Sequence, residues 1–149
     1  MSSLKQFWKK LISSRDRTDK VYPTDNFSRF ITSSKWYAAS ENRVKRRVFM
    51  PARNGHTSIF YYEKVNNCRD VALKYVHPYR KNVSIYGFAS NQAEDFLVAK
   101  LSLVKSEPPP NHYNVGKWPL SKDEQLLIAQ EIADKSLLVL FDLKIEKID

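Results

Sequence analysis

The longest apolar run in this chain is short, and its length limits what the chain can fold into. It lies within residues 136–141, where five apolar residues follow Ser136. This is the length of a strand, whereas a helix that crosses a membrane needs about 20 apolar residues. The other apolar residues lie in short segments along a chain of 149 residues, which fits one domain. Because 42% of the residues are hydrophobic and 13% are aromatic, the chain can bury a core and is not wholly disordered. We expect one folded domain in the cytoplasm, without a transmembrane segment.

The cysteine and glycine counts exclude several kinds of bonding and binding site. The single cysteine, Cys68, excludes an internal disulfide framework and a multi-cysteine zinc site. It falls in a helical pattern, where a buried and inert thiol is the usual outcome. No two histidine or cysteine residues stand at a metal-ligand spacing, so we predict neither a metal nor a cofactor. With three glycines in the chain, a glycine-rich phosphate loop is not expected.

Local patterns predict the secondary structure of the body of the chain. Ser121 and Glu124 stand at the two positions of a capping box, which predicts a helix over 121–135. A second helix is predicted over 67–76, before Pro78. Alternating apolar residues and β-branched or aromatic residues predict strands over 43–50, 57–62, 83–88 and 97–104. Residues 137–143 are predicted to form a final strand or a helical extension.

The order of these elements indicates the fold class. Asn54-Gly55 is a strong turn signal because both residues tolerate a positive φ, so the strands over 43–50 and 57–62 are predicted to form a hairpin. Strands and helices do not alternate regularly, which disfavours a doubly wound parallel sheet. The expected fold is therefore a single small α+β domain. It has a mainly antiparallel sheet of about four or five strands and two packing helices.

The N-terminal residues have the pattern of a basic amphipathic helix. Five apolar residues recur on one helical face, with lysines elsewhere: Leu4, Phe7, Trp8, Leu11 and Ile12. Such a helix can pack on its own domain, dock a protein partner or lie on an anionic membrane. A signal peptide is not expected, and Asp16 and Asp19 disfavour a transit peptide. Residues 14–26 are typical of a linker, which divides the chain into residues 1–26 and an α+β domain over 27–149.

The charge of the chain is concentrated at one end. The formal net charge is +9, and residues 1–50 carry 12 Lys/Arg against 4 acids, whereas residues 101–149 are net acidic. A positive field at one end favours an anionic partner, with RNA or DNA as the first candidate and an acidic protein surface as another. A plain basic tail on a soluble domain remains an equal alternative. The candidate nucleic-acid-binding residues are cations and one aromatic residue: Arg29, Lys35, Trp36, Arg43, Lys45, Arg46 and Arg47.

One histidine is a candidate catalytic residue. His112 follows the rigid Pro108-Pro109-Pro110 segment in a loop that can hold a polar side chain in place. A metal-independent nuclease or toxin-like enzyme needs a histidine near neutrality and cations that hold phosphate. Arg43, Lys45 and Arg47 are the candidate cations. Ser58 or Tyr113 is the candidate assisting group.

Several of these segments together resemble a family of small uncharacterised bacterial proteins. The resemblance rests on Phe27–Ile31, Arg43-Val44-Lys45, Phe49-Met50-Pro51, Thr57-Ser58-Ile59-Phe60, Pro108-Pro109-Pro110, His112, Asn114, Gly116 and Trp118-Pro119. It covers roughly residues 27–138, and Lys117 interrupts the Gly-Trp-Pro pattern of the family. The family has no established activity, so the resemblance implies a pattern of residues and no function. It also implies an origin in a bacterial chromosome, a prophage or another mobile element.

Overall fold

A computed structural model describes residues 20–148. Eight strands lie within these residues: β1 (Asn26–Ile31), β2 (Tyr37–Ala38), β3 (Arg43–Val44), β4 (Thr57–Tyr62), β5 (Ile85–Gln92), β6 (Ser102–Lys105), β7 (His112–Gly116) and β8 (Leu137–Ile145). The α-helices of the same part of the chain are α1 (Cys68–Val71), α2 (Ala93–Leu97) and α3 (Lys122–Lys135). Short 3-10 turns cover Ser34–Trp36, Ala39–Glu41 and Arg46–Phe49.

Helix α1 is the middle of a longer helical segment. A 3-10 turn over Val65–Asn67 precedes it, and a π-helical turn over Ala72–Val76 and a 3-10 turn over His77–Tyr79 follow it. We call residues 65–79 the helical cover. The helix predicted over 67–76 is thus present, and its start and end differ from the prediction by a few residues.

Six of the strands form one antiparallel sheet in the order β6-β7-β4-β1-β5-β8. Strands β2 and β3 pair separately in a two-stranded ribbon. The prediction of an α+β fold with a mainly antiparallel sheet is confirmed, and the sheet has one strand more than the larger predicted number. Residues 137–143 belong to a strand, β8, rather than to a helical extension.

Each face of the sheet buries its own hydrophobic core. Successive residues of a strand point to opposite faces, so Phe27 and Ile59 face one side while Phe30 and Phe60 face the other. The first core, which we call the α3 core, lies beneath helix α3. The second, which we call the cover core, lies beneath the helical cover. Every strand at the centre of the sheet therefore contributes to both cores.

Helix α3 begins where the capping signal predicts. The Ser121 hydroxyl accepts a hydrogen bond from the Glu124 backbone N–H at 3.3 Å, which satisfies one free donor of the first turn. Ala129, Ile132 and Ala133 are the fully buried residues of the helix. Their spacing forms the apolar stripe that packs on the α3 core.

Two predicted strands are present only in part, and the rest of each predicted range has another structure. The region 43–50 contains the two-residue strand β3 and then the 3-10 turn Arg46–Phe49, which buries the adjacent residues Val48 and Phe49 together. An extended strand would send these two neighbours to opposite faces, so burial in one core favours the turn. The region 97–104 contains the end of α2, a turn with Lys100 at φ 66, and then β6.

The predicted hairpin is wrong, although its turn is present. Gly55 has φ +84 and its N–H donates to the Ala52 carbonyl, so Asn54-Gly55 does lie in a turn. Strand β4 pairs with β1 and β7 instead of with a strand over 43–50. A tight turn fixes the local chain reversal, and the packing of the whole sheet decides which strands pair.

Residues 1–19 and Asp149 lie outside the described residues. The predicted amphipathic helix with Leu4, Phe7, Trp8, Leu11 and Ile12 therefore has no structural description. The second half of the predicted linker is described, and its Pro23 and Asp25 carbonyls accept hydrogen bonds from the N–H groups of Glu94 and Ala93 at the start of α2. Within residues 20–148 no helix is long and apolar enough to cross a membrane.

Candidate functional site

Strands β4 and β7 bring together polar residues that are far apart in the chain. The register pairs Ser58 with Asn114 and Phe60 with His112. Paired residues of an antiparallel sheet share a face, so Ser58, His112 and Asn114 lie on the side of the helical cover. His56 lies on the same face, because its ring is 3.3 Å from the position that a Cβ on Gly116 would take.

Ser58 and His112 are directly hydrogen bonded. The Nε2 atom of His112 contacts the Ser58 hydroxyl, and Nδ1 lies 2.8 Å from the Ser106 carbonyl oxygen. A carbonyl oxygen only accepts, so Nδ1 carries the proton and donates it, which leaves Nε2 of the neutral ring as the acceptor. In that tautomer the Ser58 O–H donates to His112. The ring also packs against Phe60, with ring centroids 5.2 Å apart.

Arg29 fills the space where β1 and β4 separate. The pairing of these strands ends at Ser28 with Phe60, although both strands continue. The Arg29 guanidinium donates to the Ser58 carbonyl at 3.0 Å and to the Val48 carbonyl at 2.9 Å. Burial and, to a smaller extent, the charge of Arg80 lower the pKa of Arg29 to about 10. A cation is thus held in the sheet beside the Ser58–His112 pair.

A cavity of about 320 Å³ opens over this group of residues. Arg80, just after the helical cover, forms its other wall. Two arginines, two histidines and four uncharged residues line the cavity: Arg29, Ala52, Asn54, His56, Ser58, Arg80, His112 and Asn114. No aspartate or glutamate belongs to this lining, and among residues 20–148 neither arginine has a carboxylate within ion-pair distance. We call this cavity the arginine pocket.

An aromatic cleft lies next to the arginine pocket. It is lined by Tyr75, Tyr79 and the three prolines Pro108–Pro110. Tyr79 directly precedes Arg80 in the chain, and Pro110 lies two residues before His112, so the two concave surfaces are built from neighbouring residues of the same two segments. The Tyr79 side chain is 84% exposed, which leaves its ring face open to a planar ligand.

The structure separates most of the predicted basic residues from His112. Arg43 is exposed and pairs with Glu41 at 3.0 Å, and Arg46 and Arg47 are exposed on the 3-10 turn. None of these residues, nor the partly buried Lys45, lines the arginine pocket. Of the predicted nucleic-acid-binding residues, Arg29 is the one in the pocket.

The other predicted residues have distinct surroundings. Lys35 is exposed, and Trp36 is half-buried against the α3 core. Tyr113, one of the two candidate assisting groups, points to the opposite face and packs on Phe27 at 5.1 Å. Ser58 is therefore the candidate that contacts His112. Cys68 is buried, as predicted, and burial raises the pKa of its thiol to about 12, against a smaller opposing effect of a hydrogen bond with Ser28.

Two residues of the pocket that carry a cationic or imidazole group, Arg80 and His56, were not predicted as site residues. Arg80 carries no sequence signal, because its position depends on how the helical cover packs on the sheet. His56 stands two residues before Ser58, and that spacing places both on one face of a strand. Alternation along β4 could therefore have linked His56 with Ser58.

Comparison with known proteins gives no relative for this chain. No protein-family model matches it, and neither a curated protein nor a solved structure is significantly similar to it. Among residues 20–148, no group of three His, Cys, Asp or Glu side chains could hold a metal ion. Function must therefore be argued from the geometry of the arginine pocket.

Proposed function

We propose that this protein binds nucleic acid, with a backbone phosphate held in the arginine pocket. The observation that carries the proposal is the uncompensated charge of that pocket. Arg29 and Arg80 face one cavity to whose lining the described residues 20–148 contribute no carboxylate. Guanidinium groups are the preferred partners of phosphate, because their planar N–H donors match its oxygens.

The electrostatics of the pocket favour a bound anion. The pKa of Arg29 is lowered to about 10, first by burial and then by the charge of Arg80, yet the group stays protonated at neutral pH. The two cations repel each other when no anion is bound. A phosphate between them replaces that repulsion with attraction to both. Ser58 and Asn114 supply neutral polar groups beside the same position.

The neighbouring aromatic cleft fits the base attached to that phosphate. An exposed aromatic ring next to a cationic groove is typical of proteins that bind single strands, because every base can stack on it. Tyr79 offers such a ring one residue from Arg80. This arrangement favours an unpaired RNA or DNA strand over a free phosphate metabolite.

The exposed basic segment 43–47 extends the proposed surface. It leads into the 3-10 turn whose Val48 carbonyl accepts a hydrogen bond from Arg29. We propose that Arg43, Lys45, Arg46 and Arg47 contact phosphates further along the strand. Contacts with backbone phosphates do not depend on the nucleotide sequence, and they weaken steeply as the salt concentration rises.

The test is fluorescence anisotropy of labelled single-stranded RNA and DNA across a salt series, with the full-length protein. Arg80→Ala is expected to weaken binding by about tenfold. It should also reduce the salt slope, the slope of the logarithm of the binding constant against the logarithm of salt concentration, by about one. Lys81→Ala is the matched control, since it removes the adjacent exposed cation that does not line the pocket. Tyr79→Ala should weaken binding with little change in salt slope.

A double variant separates the pocket from the basic segment. Arg46→Ala with Arg47→Ala removes two exposed cations outside the pocket. If this double variant abolishes binding while Arg80→Ala leaves it unchanged, the phosphate site belongs to the basic segment and not to the pocket. Absence of salt-sensitive binding to either strand would reject the proposed function.

A further inference from the structure

The arginine pocket holds a hydrogen-bonded relay that simple phosphate binding does not require. The Ser106 carbonyl accepts from Nδ1–H of His112, and Nε2 accepts from the Ser58 hydroxyl. A serine whose proton points at an oriented imidazole is an activated nucleophile. The carbonyl takes the place of the carboxylate that orients the ring in many serine enzymes, because it fixes the same tautomer.

A second histidine lies on the far side of Ser58. His56 immediately precedes β4 and lies two residues before Ser58, and its ring is 3.3 Å from where a Cβ on Gly116 would lie, whereas His112 pairs with Phe60 beyond Ser58. Both imidazoles line the same cavity as the two arginines. Displacement at phosphorus places the attacking and leaving oxygens on opposite sides, so it needs a base on one side and an acid on the other.

We propose that the arginine pocket cleaves a phosphodiester without a metal ion, with Ser58 as the nucleophile. This inference rests on the proposed function, since a bound phosphodiester is its substrate. Ser58 Oγ forms a bond to phosphorus and its proton passes to Nε2 of His112. The bond from phosphorus to the leaving oxygen breaks, and protonated His56 donates a proton to that oxygen. Arg29 and Arg80 stabilise the negative charge on the other phosphate oxygens.

A second displacement restores the protein. Neutral His56 removes a proton from water, and the hydroxide attacks phosphorus on the side that the leaving group left. The bond from phosphorus to Ser58 Oγ breaks, and His112 returns the proton to that oxygen. The net reaction adds one water to the phosphodiester and yields an alcohol and a phosphate monoester. No oxidant, reductant or further co-reactant takes part.

The nucleophile decides which nucleic acids are substrates. An enzyme that uses the ribose 2′-hydroxyl cleaves RNA alone and leaves a cyclic phosphate. A serine nucleophile is indifferent to that hydroxyl, so this pocket should cleave both RNA and DNA. The direct contact between Ser58 and His112 favours the serine, because the side chain already occupies the position from which a proton reaches Nε2.

The experiment uses the full-length protein in excess EDTA, with matched labelled RNA and DNA strands and with bis(4-nitrophenyl) phosphate. The wild type should cleave all three. At saturating oligonucleotide, Ser58→Ala should lower the cleavage rate by about 1,000-fold and His112→Ala by about 100-fold or more. Ser90→Ala is the matched control, because Ser90 also has a hydroxyl bonded to a side chain, that of Tyr62, outside the pocket.

A trapped intermediate gives an independent readout. The 4-nitrophenolate group leaves without an acid, so His56→Ala should still transfer phosphorus to Ser58 but hydrolyse the product slowly. We expect a stoichiometric burst of 4-nitrophenolate and a protein mass increased by one 4-nitrophenyl phosphoryl group, located on Ser58 by peptide mapping.

Four results would overturn the inference. Oligonucleotide binding without cleavage of any of the three substrates would leave the proposed function intact and reject catalysis. Cleavage of RNA alone with a cyclic phosphate product would reject Ser58 as the nucleophile. Full activity of a correctly folded Ser58→Ala protein, with wild-type circular dichroism, would do the same. Absence of both binding and cleavage would reject the proposed function together with this inference.

Discussion

A single buried cation, Arg29, links the stability of this fold to its proposed chemistry. Its guanidinium donates to the carbonyls of Val48 and Ser58, so it ties the 3-10 turn to strand β4. The same charge faces the arginine pocket. Substitution of Arg29 therefore affects both folding and binding, which is why the binding tests use Arg80.

Arg29→Ala is expected to lower the free energy of unfolding by about 2 kcal/mol, because it leaves two carbonyl acceptors without their donor. Urea denaturation followed by far-UV circular dichroism measures the change. Arg43→Ala is the control, since Arg43 is exposed and pairs only with exposed Glu41 in a surface ion pair, and its loss should cost less than about 0.5 kcal/mol. Equal effects of the two variants would contradict the bridging role of Arg29.

Cys68 should be inert in the folded protein. Burial raises the pKa of its thiol from 9.0 to about 12, so the reactive thiolate is scarce at pH 8. Reaction with a thiol reagent at pH 8 should be at least about 100-fold slower in native buffer than in urea. Rapid labelling of the native protein would show that the thiol is accessible and ionised.

The same thiol gives a pH dependence of stability. Because its pKa is higher in the fold than in the unfolded chain, its contribution to stability is fully present below about pH 9. It is lost as the pH rises toward about 12. Cys68→Ala should flatten the dependence of unfolding free energy on pH in that window.

At the scale of elements, Gly87 controls the pairing of β5 with β8. A Cβ at this position would collide with the Val139 carbonyl oxygen and lie 2.7 Å from the Leu140 Cα, both backbone atoms that cannot move aside. Gly87→Ala should lower the free energy of unfolding by about 3 kcal/mol. Thermal and urea denaturation measure it.

Gly55→Ala is the comparison for this prediction. Gly55 has φ +84 with nothing within 4 Å of the added Cβ, so its substitution should cost about 1 kcal/mol of backbone strain. A larger loss at Gly55 than at Gly87 would contradict the close approach of β8.

Elements with a local chemical cause were predictable from the sequence. The Ser121 cap bonds the backbone of its own first turn, so its residues alone predict helix α3. The region 97–104 has the alternation that is typical of a strand. Its first residue, Leu97, instead ends helix α2, whose start is capped by Gln92 and Asp95. Alternation could not reveal that Lys100 turns the chain between α2 and β6.

At the proposed site, neither the strand that holds His112 nor the contacts between residues far apart in the chain could be predicted from local sequence patterns. The prediction that His112 lies in a loop is wrong, because His112 is the first residue of strand β7 (His112–Gly116). Only Tyr113 and Val115 alternate inward in this short strand, which is too little for a strand pattern to show in the sequence. The contact of Ser58 with His112 joins residues 54 positions apart, and their meeting follows from the β4–β7 register. Arg80 reaches the pocket through the packing of the helical cover, which no local pattern encodes.

At the scale of the whole molecule, the two cores share one sheet and should unfold together. Strands β1, β4 and β5 each place residues in both the α3 core and the cover core. If either core is lost, apolar residues of these three strands become exposed on that face of the sheet. A state with one core folded and the other unfolded is therefore unfavourable.

Phe88→Leu tests this coupling. Phe88 is buried in the cover core, and the substitution should lower the free energy of unfolding by about 1–2 kcal/mol. Trp36 and Trp118 pack against the α3 core, so in a Trp8→Phe background their fluorescence reports on the opposite face. We expect fluorescence and circular dichroism to show the same lowered midpoint. A fluorescence midpoint that stays unchanged would mean that the faces unfold separately.

The arginine pocket has one wall formed by strands β4 and β7 and another formed by Arg80, and we expect these two walls to open at different rates. Strands β4 and β7 are interior strands, each paired on both sides, so their amide protons should exchange with solvent slowly. Arg80 belongs to the exposed connection between the helical cover and β5, where opening requires far less free energy. Ser58 and His112 would therefore keep their mutual geometry while the wall opposite them fluctuates. The residence time of a ligand in this pocket would then be governed by a few residues after Tyr79 rather than by the sheet that holds Ser58 and His112.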